Sequence, residues 1–228
     1  MPTSTHTPDT IKVEFKLEVV SPRPSATLSA VERLDHLAGY RLGPPSRHHI
    51  RDRYWDTPDW TLRGCQAKLR PREVDGAPLF TVKRDRRKSG GLFACRELEV
   101  PATSDGWRAV VETLVGAGIA LPEPEADAPE PAERLAAAGL GVIQDRTTER
   151  VVRTISDEDG SVAELALDTT RHRLGERTAE YREIEVEQRG GTVDAVRALG
   201  EALLAGYPDR LRPAKKGKFG RGLALSRN

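Results

Sequence analysis

Cysteine is nearly absent from this 228-residue chain, which has only Cys65 and Cys95. Two cysteines cannot build a disulfide framework and do not stand at a metal-ligand spacing, so both read as reduced thiols of a cytoplasmic protein. Net charge is almost absent as well. Thirty-six Lys and Arg against thirty-five Asp and Glu leave +1, without the broad basic field of a nucleic-acid or lipid-surface binder. No apolar run approaches the roughly 18 residues of a membrane span. The first residues lack the basic-then-apolar order of a signal peptide. His48 and His49 have no partner at metal spacing and are assigned no site.

Charge of both signs is plentiful, at 31% of residues, and it alternates with apolar groups. In residues 12–20, Val13, Phe15, Leu17 and Val19 interleave with Lys12, Glu14, Lys16 and Glu18, which predicts a strand with one apolar face. Further strands are expected over 48–56, 66–74, 78–84, 93–100, 142–155, 161–172 and 182–187. Helical spacing predicts helices over 26–38 (ended by Gly39), 107–115 and 193–204. Asp75-Gly76 and the run 157–160 read as turns. Residues 1–10 read as a disordered polar tail, and 121–131 as a Pro- and acid-rich connector within a single domain over 11–226. The order Arg96-Glu97-Leu98-Glu99-Val100 followed by a helix is echoed by Arg182-Glu183-Ile184-Glu185-Val186 and its helix. Long strands joined by short turns or one helix favour an α+β fold, with a closed antiparallel barrel and helices outside, over a parallel plan.

Glu183-Ile184-Glu185-Val186-Glu187 is the most informative segment. A strand here would put three carboxylates on one face, and like charges so placed repel unless a cation compensates them. Alone, the segment is a solvated edge. Arg70 with Arg72, Thr81 with Lys83, Glu97 with Glu99, Thr148 with Arg150, and Glu164 with Asp168 form similar charged faces. Glu, Arg and Lys are costly to bury unless paired or ligated. Faces carrying both signs suit a polyanion with its metal ions, since carboxylates bind hard cations and Arg and Lys clamp phosphate. Asp168 would also serve as a turn cap, Tyr54-Trp55 as packing, and 84–91 as a surface hairpin.

These residues give the chain a resemblance to the CYTH superfamily, the triphosphate tunnel metalloenzymes, including thiamine-triphosphatase-like proteins. Lys12-Val13-Glu14-Phe15-Lys16 resembles the family's Glu-x-Glu-x-Lys motif, and Tyr54-Trp55-Asp56-Thr57-Pro58 its Tyr-Tyr-Asp-Thr-Pro segment. Leu69-Arg70-Pro71-Arg72 is similar to Leu-Arg-x-Arg, and Thr81-Val82-Lys83 to the lysine strand that follows. Lys218-Phe219-Gly220-Arg221-Gly222 resembles the C-terminal Lys-x-x-Arg-Gly.

The resemblance implies an eight-stranded barrel that binds a triphosphate and hydrolyses it with Mg²⁺ or Mn²⁺. It implies Lys16, Arg70, Arg72, Lys83, Arg150 and Lys218 on the phosphates. Glu14, Glu97, Glu99, Asp168, Glu183 and Glu185 would hold metal or orient water, with Glu14, Lys16 and Glu185 as the catalytic set. An adenylate cyclase making cyclic AMP from ATP and a non-catalytic triphosphate sensor are the alternatives. The expected partner is a triphosphate-containing small molecule, with no nucleic acid and no membrane, bound by a monomer or homodimer. One departure stands out: Lys12 replaces the motif's first acid. On that reading Lys12→Glu raises metal affinity and turnover.

Overall fold

The computed structural model describes residues 9–121 and 130–225. Its strands are β1 (Thr10–Val19), β2 (His36–Leu37), β3 (Tyr40–Leu42), β4 (Ser46–Asp56), β5 (Lys68–Val74) and β6 (Ala77–Ser89). They continue with β7 (Leu92–Pro101), β8 (Gly141–Ser156), β9 (Ser161–Leu174), β10 (Arg177–Gln188) and β11 (Leu211–Pro213). The helices are α1 (Pro24–Glu32), α2 (Thr61–Gly64), α3 (Ser104–Gly116), α4 (Pro131–Ala137), α5 (Val193–Gly206) and α6 (Lys218–Leu225). The expected tail lies largely, and the connector mostly, outside the described residues; β1 already begins at Thr10.

The strands pair in the order β2-β3-β8-β4-β5-β6-β7-β1-β10-β9, and β8 pairs with β9 as well. That last pairing joins eight strands into a ring, so the fold is α+β with a closed antiparallel barrel, as the alternation predicts. By contacts the described chain divides into two compact units. The first holds residues 9–11, Arg51–Arg86 and Cys95–Asp145; the second holds Lys12–Ile50, Arg87–Ala94 and residues 146–225. No helix among the described residues is long and apolar enough to cross a membrane.

In the second unit β1 and β10 run antiparallel with Lys16 opposite Glu185 and Phe15 opposite Val186. On β9, Asp168 stands opposite Glu183. This register sends the apolar residues of the three strands to one face. Phe15, Leu17, Leu165, Leu167, Ile184 and Val186 are buried there with Val196, Leu199 and Leu203 of α5. Those three helix positions recur at the spacing of one helical stripe. Thr192 caps α5 by accepting the Ala195 N–H at 3.1 Å. The approach is close: a Cβ on Gly200 would lie 2.3 Å from the Phe15 ring, so no larger residue fits without moving the helix.

The first unit repeats the plan with its own core. Leu69, Phe80, Val82, Leu98 and Val100 pack under Trp107, Val110 and Leu114 of α3. Thr103 caps that helix through the Gly106 N–H at 3.2 Å. The Asp75-Gly76 turn forms as expected, with φ of 50° and 86° at the two residues, the conformation a two-residue hairpin requires.

One predicted element changes. The helix expected over 26–38 stops at Glu32, and His36 and Leu37 instead pair with Arg41 and Tyr40. Ala38 and Gly39 take φ of 50° and 88°. Gly39 therefore turns a hairpin rather than ending a helix, because the strand pairing on either side outweighs the weak helical stripe. The short elements α2, β2, β3, β11 and α6 have too few residues to show a period in sequence.

Candidate functional site

The second unit gathers its charged strand faces into one buried group. Asp168, Glu183 and Glu185 are at most 3% exposed, and each offers a carboxylate oxygen within 4.8 Å of the others. Three cations hold them. Lys218 of α6 donates to Asp168 Oδ2 at 2.7 Å, to Glu185 Oε1 at 2.8 Å and to Glu183. Arg150 of β8 forks onto Asp168 at 2.8 and 2.6 Å and reaches Glu185 Oε2 at 2.7 Å. Lys16 bridges Glu14 at 2.8 Å and Glu185. With all groups ionised, four carboxylates against three cations leave one net negative charge.

The electrostatics separate the acids. Burial pushes the Glu185 carboxyl upward, but Lys16, Lys218 and Arg150 outweigh it and hold the group well below the usual carboxylate range. Burial likewise opposes ionisation of Asp168, and Arg150 with Lys218 again prevails. Glu183 goes the other way: burial, reinforced by Glu185 and Asp168 against the pull of Lys218 and Lys16, raises it to about 7. Burial would lower both lysines. Glu14 and Glu185 keep Lys16 above its ordinary value, and Asp168 and Glu183 do the same for Lys218. These opposite directions follow from how many cations each carboxylate touches.

Glu183 Oε2 is buried and accepts no hydrogen bond. A buried, unsatisfied carboxylate oxygen beside two others is a donor set that fits a hard divalent cation. Two further contacts brace the group. Arg221, one turn along α6 from Lys218, donates to Glu18 Oε1 at 2.5 Å and lies 4.5 Å over the Tyr181 ring. Lys12, the departure from the motif, pairs with Glu187 Oε2 at 2.5 Å.

The first unit carries a different group. Lys83 sits 3.0 Å from Glu97 Oε1, and Thr81 donates to Glu99 Oε2 at 3.1 Å. Arg72 donates from Nε to Asp52 Oδ1 at 2.9 Å, and its Nη1 is 3.5 Å from Glu99. Arg70 donates from Nη1 to the Tyr54 hydroxyl at 2.7 Å. Three carboxylates face three cations in these pairs, and Lys68 stands opposite Lys83 as a fourth. Burial, with Arg86 and Lys83 adding repulsion, pushes Lys68 down to about 8.

One family profile, the CYTH domain, matches residues 10–216. The chain belongs to the CYTH family. No curated protein matches it. Among solved structures, a putative adenylyl cyclase from Hippeastrum, HpAC1, is described as revealing a dominant triphosphatase activity. It is 18% identical with a TM-score of 0.65, over 94% of this chain and 96% of that one. A putative adenylate cyclase from Bacillus halodurans is 20% identical with a TM-score of 0.51, over 92% and 97%. At such identities the likeness is one of fold.

Of the residues expected at the CYTH site, Glu14, Lys16, Arg150, Asp168, Glu183, Glu185 and Lys218 meet in the second unit. Arg70, Arg72, Lys83, Glu97 and Glu99 meet in the first. Asp52, 1% exposed, was not among them. Alternation puts Asp52 on the same strand face as Tyr54, but nothing local separates it from the charge run Arg51-Asp52-Arg53. Arg146 and His172, both buried on β8 and β9, were also missed.

Proposed function

We propose that this CYTH protein is a divalent-metal-dependent triphosphatase, which splits an inorganic or organic triphosphate into orthophosphate and the shortened phosphate. The observation that carries this reading is the buried Asp168, Glu183 and Glu185 group threaded by Lys16, Arg150 and Lys218. An ordinary solvated sheet face has no reason to bury six charges, whereas phosphoryl transfer needs positioned charge more than covalent chemistry. The relative described with a dominant triphosphatase activity supports the same choice.

Asp168, Glu183 and Glu185 would hold Mg²⁺ or Mn²⁺, which supplies Lewis-acid polarisation of a phosphoryl oxygen when bound. Lys16, Arg150 and Lys218 neutralise phosphate charge in the second unit; Arg70, Arg72 and Lys83 do so in the first. Glu14 and Glu185, both on Lys16, orient the attacking water, and Lys16 helps keep Glu185 ionised. Glu97 and Glu99, expected as metal or water ligands, act in this reading as counter-ions of the arginines and Lys83. Cys65 and Cys95 are free thiols, which suits the cytoplasm, and in this reading the protein acts as a monomer or homodimer.

The test is orthophosphate release from inorganic tripolyphosphate with Mg²⁺ or Mn²⁺. We expect turnover that EDTA abolishes. Cyclic AMP and pyrophosphate from ATP would instead establish a cyclase, the reading that the name of the Bacillus halodurans structure favours. Tight binding of tripolyphosphate without products would establish a sensor.

A further inference from the structure

The first unit contains a carboxylate that a phosphate-binding surface should not want. Asp52 of β4 is 1% exposed and lies against both arginines of β5. Its Oδ1 accepts from Arg72 Nε at 2.9 Å and its Oδ2 from Arg72 Nη2 at 3.4 Å. The same Oδ1 is 3.3 Å from Arg70 Nε. Two residues along β4, Tyr54 takes the Arg70 Nη1 hydrogen bond at 2.7 Å, and the guanidinium lies 5.4 Å from the ring centre.

Arg72 thus forks onto the buried acid, whereas Arg70 Nε is in ion-pair range of it and makes no hydrogen bond. Their outer Nη atoms also face the acids of β7. Arg72 Nη1 is 3.5 Å from Glu99 and Arg70 Nη2 is 4.0 Å from Glu97. Each of those acids has a shorter contact of its own, Glu99 to Thr81 at 3.1 Å and Glu97 to Lys83 at 3.0 Å. A phosphate oxygen could take over the long contacts and leave neither carboxylate stranded.

We infer that Asp52 is a positioning residue for phosphate binding: it fixes the Arg72 guanidinium so that its outer Nη1 meets the substrate already oriented, beside Arg70 held by Tyr54. An arginine loses much rotamer freedom when it clamps a ligand, and a fork made beforehand removes that cost from binding. The inference rests on the triphosphate reading above.

Two effects of Asp52 oppose each other, and that makes it testable. As a negative charge it weakens anion binding, so Asp52→Asn should tighten binding if charge alone matters. As a positioning group it strengthens binding, so the same change should weaken it. We expect Asp52→Asn to raise KM for inorganic tripolyphosphate about tenfold, with kcat within about threefold and an unchanged far-UV circular dichroism spectrum, while loss of the buried charge lowers the melting temperature. Calorimetric affinity for tripolyphosphate should fall by the same factor. Arg72→Lys keeps the charge but cannot make the fork, and it should lose affinity similarly. The double variant should then bind no worse than Arg72→Lys alone, because Asp52 acts through Arg72.

Equal or tighter binding in Asp52→Asn overturns the inference, as do additive losses. If Asp52→Asn does not fold, an Arg72→Lys variant with wild-type affinity overturns it instead. A wild-type protein that neither binds nor cleaves tripolyphosphate removes the functional reading itself, and this inference with it.

Discussion

Glu183 with Glu185 and Glu97 with Glu99 are the same pattern in sequence, two acids around one apolar residue before a Thr-capped helix. In the structure they differ. Glu183 and Glu185 are almost fully buried, stand with Asp168, and share Lys218. Glu99 is 40% exposed at its side chain, and Glu97 and Glu99 each have their own partners, Lys83 and Thr81. Alternation decides only which way a carboxylate points. Its neighbours across the sheet decide whether it joins a buried acidic group or serves as counter-ion to an arginine.

Breaking the pair proposed to hold metal should have the largest effect. Glu185 touches Lys16, Arg150 and Lys218, so Glu185→Gln should cut metal-dependent phosphate release at least a hundredfold while the far-UV circular dichroism stays unchanged. Activity within tenfold of wild type would sink the site assignment. Next is Lys218→Met. It strips one cation from three buried acids, and removing one partner of a buried ionic group costs about 3 kcal/mol. Thermal melts in EDTA should show that loss, and Mg²⁺ should restore more stability to the variant than it adds to wild type. An unchanged melting temperature in EDTA would show that Lys218 does not balance the group.

The pH dependence sharpens the comparison further. The folded Glu183 carboxyl is raised from 4.5 to about 7, so the folded protein binds more protons than the unfolded chain between those values. Its contribution makes metal-free stability fall as pH rises through that window and level off above it, by on the order of 3 kcal/mol. Asp168 and Glu185 are lowered, and their contributions are lost only as pH falls below the ordinary carboxylate range. Melting curves in EDTA from pH 5 to 7 should therefore slope more steeply downward for wild type than for Glu183→Gln. Parallel slopes would contradict the raised carboxyl. The smallest effect belongs to Lys12→Glu, which exchanges the pair with Glu187 for a further acid. A loss of stability in EDTA with a severalfold gain in Mn²⁺ affinity is expected; identical titration curves would count against it.

The fold was largely legible because nearly every strand is long enough to show its period. Val13, Phe15, Leu17 and Val19 sit where alternation puts them, in the apolar core and on the side away from Glu14 and Lys16. Gly39 misled because a glycine after an apolar stripe marks a helix end and a hairpin equally well, and only the pairing of Leu37 with Tyr40 decides. In the site, Glu183, Glu185, Arg150 and Lys218 were readable through charge on alternating faces and through resemblance to the family. Asp52 was not, since an acid between Arg51 and Arg53 looks like a solvated charge run. Its burial depends on two arginines from another strand, a contact that no local pattern encodes.

The most direct measurement is Mn²⁺ affinity, by calorimetry, of wild type, Glu183→Gln and Glu99→Gln. The account predicts at least a tenfold loss in Glu183→Gln and a change of less than about threefold in Glu99→Gln. Equal losses in the two variants, or a loss in Glu99→Gln alone, would contradict it.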